Sequence, residues 1–228
     1  MKFKKYLLFI CFFSIQFFML FPIDSIKNQI ILERINEAKK TGILDLSKLD
    51  LTKLDLIGEL LGRNDKKIKK MILDFNNIRK IKRDDLNRFR NLQFLDLSNN
   101  KIERLEKGCF FSLKKLKTLD LSHNKIKNMP QNIFMKQIYL DNLDLSDNLI
   151  EKLNKVWFRN LKNLKKVNLA DNKITHISAT LFKRNKQLEE VYLKGNKVKH
   201  LNAGLRGKDF RFLIKDLKDD NDVLNLWG

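Results

Sequence analysis

Apolar and polar residues follow one pattern through the middle of this chain, and the pattern returns at a fixed interval. Its first copy is Ile68, Met71, Leu73, Asn76 and Ile78. Five further copies keep the same spacing, so that successive asparagines are 24 residues apart: Asn76, Asn100, Asn124, Asn148, Asn172 and Asn196. Six copies in register, without an insertion, indicate a repeat architecture in which each repeat forms one coil of a solenoid.

The apolar pair before each asparagine predicts a short strand. Leu95 and Leu97 are two residues apart, which is the strand period, so both side chains point to one side and the residue between them points to the other. A column of phenylalanines closes the coils further along the repeat: Phe110, Phe134, Phe158 and Phe182. Because no single coil can bury these groups alone, neighbouring coils must stack their strands in parallel.

The recurring asparagine has a structural explanation. A tight turn after each strand leaves backbone N–H and C=O groups without partners in the sheet. An amide side chain supplies both a donor and an acceptor. We therefore predict that Asn76, Asn100, Asn124, Asn148, Asn172 and Asn196 form a buried ladder through the stacked coils.

The motif resembles the leucine-rich repeat, and its length resembles the common 24-residue class of that family; the resemblance covers roughly three quarters of the chain. It implies an α/β solenoid, a horseshoe with a parallel β-sheet on its concave face and helical caps at both ends. It also implies that a ligand binds on the concave face.

We divide the chain into four segments. Residues 1–25 are a signal peptide or an uncleaved signal anchor, since Lys2, Lys4 and Lys5 precede an uncharged apolar run over residues 6–21. Both alternatives place the repeats outside the cytoplasm. The other segments are an N-terminal capping helix at 26–42, one degenerate and six regular repeats at 43–201, and a C-terminal cap at 202–228.

Each cap is predicted from helical spacing. At the N-terminal end the apolar positions are Ile26, Ile30, Ile31 and Ile35, with Gly42 as the stop. The degenerate repeat follows, with Leu49 where the others have asparagine. At the C-terminal end the apolar positions are Phe210, Leu213, Ile214 and Leu217. Solenoids need such caps to avoid end-to-end association.

Composition adds a strong positive charge and little cysteine. Lys and Arg number 47 against 27 Asp and Glu, for a net charge of +20. This charge indicates either an anionic partner or a solvated surface whose composition reflects a biased genome. Of the two cysteines, Cys11 lies in the segment predicted as a signal and Cys109 is expected to be buried. The chain therefore departs from family members with Cys-stapled caps, and it contains no N-x-S/T glycosylation site.

Motifs for chemistry are absent from the sequence. It has no Gly-rich phosphate loop, no H-E-x-x-H and no G-x-S-x-G. His176 and His200 are one repeat apart and should stack on adjacent coils, but a zinc site normally needs three or four ligands. We therefore expect no enzyme activity, no metal and no cofactor.

Candidate binding residues are those whose side chains should point out of the concave strands. They are Lys70, Phe94, Asp96, Asp120, Asp144, Lys166, Glu190, Tyr192 and Lys194. Phe94 and Tyr192 are the predicted anchors, because aromatic residues are enriched in binding hot spots. Alternatively, Phe94 and Phe75 pack against the N-terminal cap. The stripe of Asp residues with Ser98, Ser122 and Ser146 indicates a groove for a basic segment, or simply residues frequent in the family.

These observations favour a secreted or surface-tethered protein-binding module. One alternative is adhesion to an anionic glycan or a membrane surface through lysines that follow the ladder asparagines, namely Lys101, Lys125, Lys173 and Lys197. Another is a regulatory subunit of an intracellular enzyme. We do not expect nucleic acid as a partner, because the chain carries no nucleic-acid motif and is predicted to be exported.

Overall fold

The structure is a computed structural model that describes residues 22–54, 57, 60, 64–178, 180–198 and 200–201. The apolar run at 6–21 and the predicted C-terminal cap helix lie outside the described residues.

Seven short strands form one parallel sheet, and every coil contributes one strand. In spatial order they are β1 (Ile43–Asp45), β2 (Lys70–Ile72), β4 (Phe94–Asp96), β6 (Thr118–Asp120), β7 (Asn142–Asp144), β8 (Lys166–Asn168) and β10 (Glu190–Tyr192). From β2 onward, paired residues are one 24-residue repeat apart, as Lys70 is from Phe94. Parallel pairing of successive coils confirms the predicted solenoid.

Two smaller parallel sheets lie after the asparagine turns and were not predicted. Their strands are β3 (Lys80–Ile81) with β5 (Arg104–Leu105), and β9 (His176–Ile177) with β11 (His200–Leu201). The second pair brings the backbones of His176 and His200 into register, as the sequence predicted. Each strand has only two residues, which is too short for a hydrophobic period to reveal.

Helix α1 (Pro22–Thr41) covers the first coil and begins four residues earlier than predicted. Its buried stripe is Ile31, Ile35 and Ala38. The prediction that Ile26 lies on the apolar face is wrong, because this side chain is 64% exposed. The end of the helix is as predicted, since Gly42 has φ +76° and a Cβ there would lie 2.9 Å from a backbone oxygen.

One continuous core runs through the stacked coils. The phenylalanine column is buried as predicted, and its rings contact one another across coils: Phe110 lies 6.0 Å from Phe134, and Phe158 lies 4.9 Å from Phe182, between ring centroids. A four-residue helix, α2 (Lys155–Phe158), places Trp157 in the same core at 1% exposure. Each coil thus supplies one wall of its neighbour's interior.

The asparagine ladder is confirmed. In the second regular coil, Asn100 Oδ1 accepts the N–H of Ile78 at 3.0 Å, and Nδ2 donates to the carbonyl oxygens of Leu73 at 2.9 Å and Leu97 at 3.1 Å. Each amide therefore joins its own coil to the preceding one. Asn76, Asn124, Asn148 and Asn172 are buried like Asn100, and Asn196 at the far end is half-buried.

Two further buried amides support the return segments of the coils. Gln137 is fully buried, and its Nε2 donates to Phe110 O at 2.6 Å. Two coils later, Asn185 Nδ2 donates to Phe158 O at 2.9 Å and Leu161 O at 2.7 Å. The sequence analysis missed both, because the equivalent positions in other coils are apolar and no column of amides marks the site.

Candidate functional site

The outward surface of the seven-stranded sheet, which we call the sheet face, carries the predicted binding residues. The first residues of the strands form one column: Ile43, Lys70, Phe94, Thr118, Asn142, Lys166 and Glu190. The third residues form another: Asp45, Ile72, Asp96, Asp120, Asp144, Asn168 and Tyr192. The middle residue of every strand is buried. Lys194 follows β10 and is exposed.

At one end of the sheet face a lysine covers an aromatic ring. Lys70 Nζ lies 4.5 Å from the centroid of the Phe94 ring, on the next strand and in register with it. Both side chains are half-buried. A cation this close to an aromatic face is attracted to the ring by its quadrupole.

The other end repeats the arrangement and adds a carboxylate. Lys166 Nζ lies 4.8 Å from the Tyr192 ring centroid and 3.3 Å from Glu190 Oε2. The Tyr192 hydroxyl donates to the same carboxylate at 2.8 Å. The hydrogen bond to Glu190 is the main cause that raises the pKa of Lys166. The two predicted anchors therefore lie at opposite ends of the sheet face, each beside a lysine.

Between them, three aspartates stack in register on adjacent strands, namely Asp96, Asp120 and Asp144. Each Oδ1 accepts the backbone N–H two residues later, at 2.9, 2.8 and 2.8 Å. These aspartates therefore hold the turn that follows each strand, whatever else they bind. Burial raises the pKa of Asp120, and the negative charges of Asp144 and Asp96 add to this effect. Hydrogen bonds from Ser122 act in the opposite direction but do not cancel it.

The serines do not extend this acidic stripe outward. Ser98 and Ser122 are each only 6% exposed, so little of either side chain is accessible to a ligand. The hydroxyl of Ser122 donates to Asp120 Oδ1 at 2.6 Å, and Ser146 is bonded to Asp144 in the same way. The serines thus reinforce the turns.

A column of left-handed residues runs beside the sheet face, immediately before the ladder asparagines. Its members, with φ between 48° and 72°, are Lys48, Phe75, Asn99, His123, Asp147, Asp171 and Gly195. Asn, Asp, His and Gly are the residues that tolerate this backbone region best. The sequence shows this preference one residue before five of the six ladder asparagines, and that signal could have revealed the column.

Two members of the column depart from this preference, Lys48 and Phe75, and of the two only Phe75 is apolar. Its φ is +51°, and its side chain is 53% exposed. Lys48 Nζ lies 5.5 Å from its ring centroid. The alternative that Phe75 packs against the N-terminal cap is therefore wrong, because a ring buried beneath the cap would not be half in solvent.

The predicted lysine edge is exposed but interrupted. Lys101, Lys125, Lys173 and Lys197 are exposed at equivalent positions, and each backbone N–H donates to the preceding coil at 2.9–3.0 Å. Leu149 occupies the same position between Lys125 and Lys173. Four lysines thus follow one edge with a gap at its centre.

Within the described part of the chain, no three His, Cys, Asp or Glu side chains are grouped as a metal ion would require. Among the same residues, none of the helices combines the length and the apolar character needed to cross a bilayer.

Comparisons with known proteins agree with this architecture. A solved structure of the TLR13–ssRNA13 complex superimposes with a TM-score of 0.57 at 21% identity, covering 79% of this chain and 28% of that one. The APL1 leucine-rich repeat domain superimposes with a TM-score of 0.55 at 24% identity, covering 58% of this chain and 36% of that one. The chain thus spans about a third of each of these structures, and the likeness shows the fold alone.

Sequence comparison gives the family. No curated protein matches the chain. The model of the leucine rich repeat family matches residues 66–136 and 138–204, which together make up more than half of the chain. Those residues contain all six ladder asparagines and the strands from β2 to β11. The chain therefore belongs to the leucine-rich repeat family.

Proposed function

We propose that this chain is a non-enzymatic protein-binding module whose partner docks on the sheet face. The observation that carries the proposal is that Phe75 has an exposed side chain on a left-handed backbone. Left-handed backbone costs a side-chain-bearing residue about 1–2 kcal/mol, and an exposed ring contributes little burial in return. Stability alone would favour the Asn, Asp or Gly found in other coils, so a binding role explains the phenylalanine.

The sheet face offers a partner three zones of different character. Phe94, with Phe75 beside the sheet face, provides apolar contact at one end, and the aromatic ring of Tyr192 provides it at the other. Asp96, Asp120 and Asp144 lie between. On a chain of net charge +20, this acidic centre suits an extended segment with a basic residue in the middle and apolar residues on both sides.

Rigidity supports the proposal. Every strand of the sheet face except the terminal β10 is bonded to a strand on either side or capped by helix α1, and the ladder amides fix the turns that follow. A surface that is already ordered loses little conformational entropy when a partner docks, and more of the contact energy is then retained as affinity.

Site-specific photocrosslinking in the producing cells tests the proposal. A photoreactive residue at Thr118 would lie at the centre of the sheet face, and one at Lys107, exposed in the return segment, is the matched control. We expect a discrete protein adduct from position 118 that position 107 does not give. Adducts of the same identity from both positions, or none from position 118, would contradict the proposal.

We further propose that the chain acts outside the cytoplasm, secreted or tethered to a surface. The support is the basic start followed by the apolar run at 6–21. Fractionation of cells expressing the full chain with a C-terminal tag tests this: the tag should be found outside the cytoplasmic membrane. A tag recovered only in the cytoplasm would instead favour an intracellular regulatory subunit.

A further inference from the structure

A second surface lies along the edge of the sheet at which the strands begin. Four residues before each strand from β2 to β10, the chain places an equivalent residue, and five of the six are cations: Lys66, Arg90, Lys114, Ile138, Lys162 and Lys186. All six are exposed. We call this row the basic edge.

At one end of the basic edge the structure contains a cavity of about 420 Å³. It is lined by Lys66, Asn87, Arg88, Arg90 and Ser112. Three of these side chains are cations, the other two carry neutral hydrogen-bonding groups, and none is a carboxylate. The volume lies within the range of about 300–1,000 Å³ that is usual for small-molecule sites.

Three successive coils build this cavity. Lys66 comes from one coil, Asn87 to Arg90 from the next, and Ser112 from the third, each offset by one repeat. Phe89 is 1% exposed, so a buried anchor fixes the backbone between Arg88 and Arg90. Asn91 Nδ2 donates to Lys66 O at 2.8 Å, and this bond joins the first two coils at the rim.

Ser112 accounts for the open space. Its equivalents in the adjoining coils are Arg88 and Lys136, both long side chains, so the serine leaves a gap beside them. Turn hydrogen bonds hold the surrounding backbone, such as the bond from Phe89 N–H to Leu86 O at 3.2 Å. The gap is therefore a fixed feature of the fold.

A neighbouring cavity of about 390 Å³ provides a contrast. It shares Arg88 and adds Lys82 and Arg83, but Asp84, Asp85 and Glu106 also line it, so that three cations are balanced by three carboxylates. Glu106 is paired with Lys80, so charges of both signs already meet there. An anion would be repelled by those carboxylates, and the cavity at Lys66 and Arg90 is therefore the one suited to a negative ligand.

We propose that the cavity lined by Lys66, Arg90 and Ser112 binds the phosphate or sulfate ester of an anionic ligand, at a site separate from the sheet face. The Arg90 guanidinium can present two N–H donors in one plane to two oxygens of a tetrahedral anion. Lys66 supplies a second charge and Ser112 a neutral donor. The Asn87 amide has one N–H group left for a ligand, because Nδ2 already donates to Asp84 Oδ1 at 3.2 Å. The volume also accommodates the sugar or headgroup to which the ester is attached.

The basic edge supplies its own matched control. Lys162 and Lys186 occupy the same repeat position as Lys66 and Arg90, but they line neither cavity described here. The pairs Lys66→Gln with Arg90→Gln and Lys162→Gln with Lys186→Gln therefore remove equal charge from equivalent places. Non-specific electrostatic attraction of an anion would weaken equally in both pairs, whereas binding at a specific site would be lost only in the first pair.

The test titrates inorganic phosphate and sulfate into the folded full chain at about 0.15 M salt, where exposed charges are screened beyond about 8 Å. Amide chemical shifts report the binding. We expect saturable shifts around Arg90, a Kd at least tenfold weaker in the Lys66 and Arg90 pair, and a change below twofold in the control pair. Ser112→Phe, which fills the cavity without altering charge, should also abolish the shifts.

Equal weakening in both pairs would overturn the proposal, as would shifts that never saturate or that survive Ser112→Phe. Tryptophan emission, to which the buried Trp157 contributes, checks that each variant is folded. A sulfated tetrasaccharide and vesicles containing a phosphoinositide then distinguish the sources of the ester. The probe whose binding is lost in the Lys66 and Arg90 pair identifies the source of the ester. If each probe binds the two variant pairs equally well, the proposed site is contradicted.

Discussion

Replacing Asn124 by alanine tests whether the ladder holds the coils together. Its Oδ1 accepts the N–H of Ile102 at 2.9 Å. Its Nδ2 donates to the carbonyl oxygens of Leu97 at 3.0 Å, Leu121 at 3.1 Å and Ser122 at 3.0 Å. The residue is 8% exposed, so water cannot readily replace these bonds.

The magnitude follows from counting which groups lose their last partner. Leu97 O keeps the amide of Asn100, and Leu121 O keeps that of Asn148. Ser122 O keeps the backbone N–H of Asn99. Only the Ile102 N–H is left without a bond, and one buried unsatisfied donor costs about 1–3 kcal/mol. We expect Asn124→Ala to lower the free energy of unfolding by about 2 kcal/mol.

A second substitution separates donor from acceptor. Asn124→Asp keeps an acceptor for the Ile102 N–H but directs a buried carboxylate at three carbonyl oxygens. Burying a charge without compensation costs more than leaving one N–H unbonded. Asp should therefore destabilise more than Ala at neutral pH, although its shape is closer to Asn.

The assay is equilibrium urea unfolding, followed in parallel by circular dichroism and by tryptophan emission, to which the buried Trp157 contributes. Coincidence of the two probes checks that the array unfolds as one unit. Asn142→Ala is the control, because Asn142 is exposed and its side-chain amide donates to the neighbouring Asp141. It should change stability by less than about 0.5 kcal/mol. The reasoning is refuted if Asn124→Ala behaves like the control, or if Asp is tolerated better than Ala.

Three other substitutions or modifications test particular contacts. Phe75→Asn should raise the free energy of unfolding by about 0.5–1 kcal/mol, because Asn tolerates the left-handed backbone, and urea unfolding measures it. Asp120→Asn should stabilise the fold at neutral pH, because burial followed by Asp144 and Asp96 makes its charged form unfavourable. The stability gain over the wild type should shrink as the pH falls, because Asp120 of the wild type binds a proton more readily in the folded state than in the unfolded state. The Cys109 thiol, which is 1% exposed and whose pKa is raised by burial, should react with iodoacetamide only after unfolding.

Each of these has a result that would count against it. Asn99→Phe makes the converse change one coil away and should lower the free energy of unfolding. An increase in that free energy in both Phe75→Asn and Asn99→Phe would show that the backbone argument is wrong. Asn168 already holds its turn by accepting the Ala170 N–H at 3.1 Å, so destabilisation by Asp120→Asn at neutral pH would contradict the charge argument. Alkylation of the Cys109 peptide at equal rates in folded and unfolded protein, measured by mass spectrometry, would show that the thiol is accessible.

The parts of this fold that a repeated spacing determines were predictable from the sequence. Strand positions, the buried phenylalanines and the ladder amides recur every 24 residues, so six copies reinforce each inference. The same spacing predicts that Phe94 and Tyr192 lie on the sheet face. Their partners were not predictable, because whether Lys70 lies over a ring depends on a rotamer and not on a period.

Features that occur once, or that belong to the backbone, escaped the sequence analysis. Gln137 and Asn185 bond to the return segments, but their column is otherwise apolar. The left-handed conformation of Phe75 could be inferred only from its neighbours in the column, since Phe has no preference for it. The cavity beside Arg90 depends on the absence of a long side chain at Ser112, which no motif marks.

The most direct test of the account is the affinity of the crosslinked partner for three forms of the chain: wild type, Phe75→Asn, and Lys107→Asn as the control. We predict that Phe75→Asn weakens the Kd at least tenfold, as expected for an aromatic hot-spot contact, although the variant is the more stable protein, and that Lys107→Asn binds as the wild type does. A more stable Phe75→Asn that binds the partner with unchanged affinity would contradict the claim that the sheet face is the docking surface.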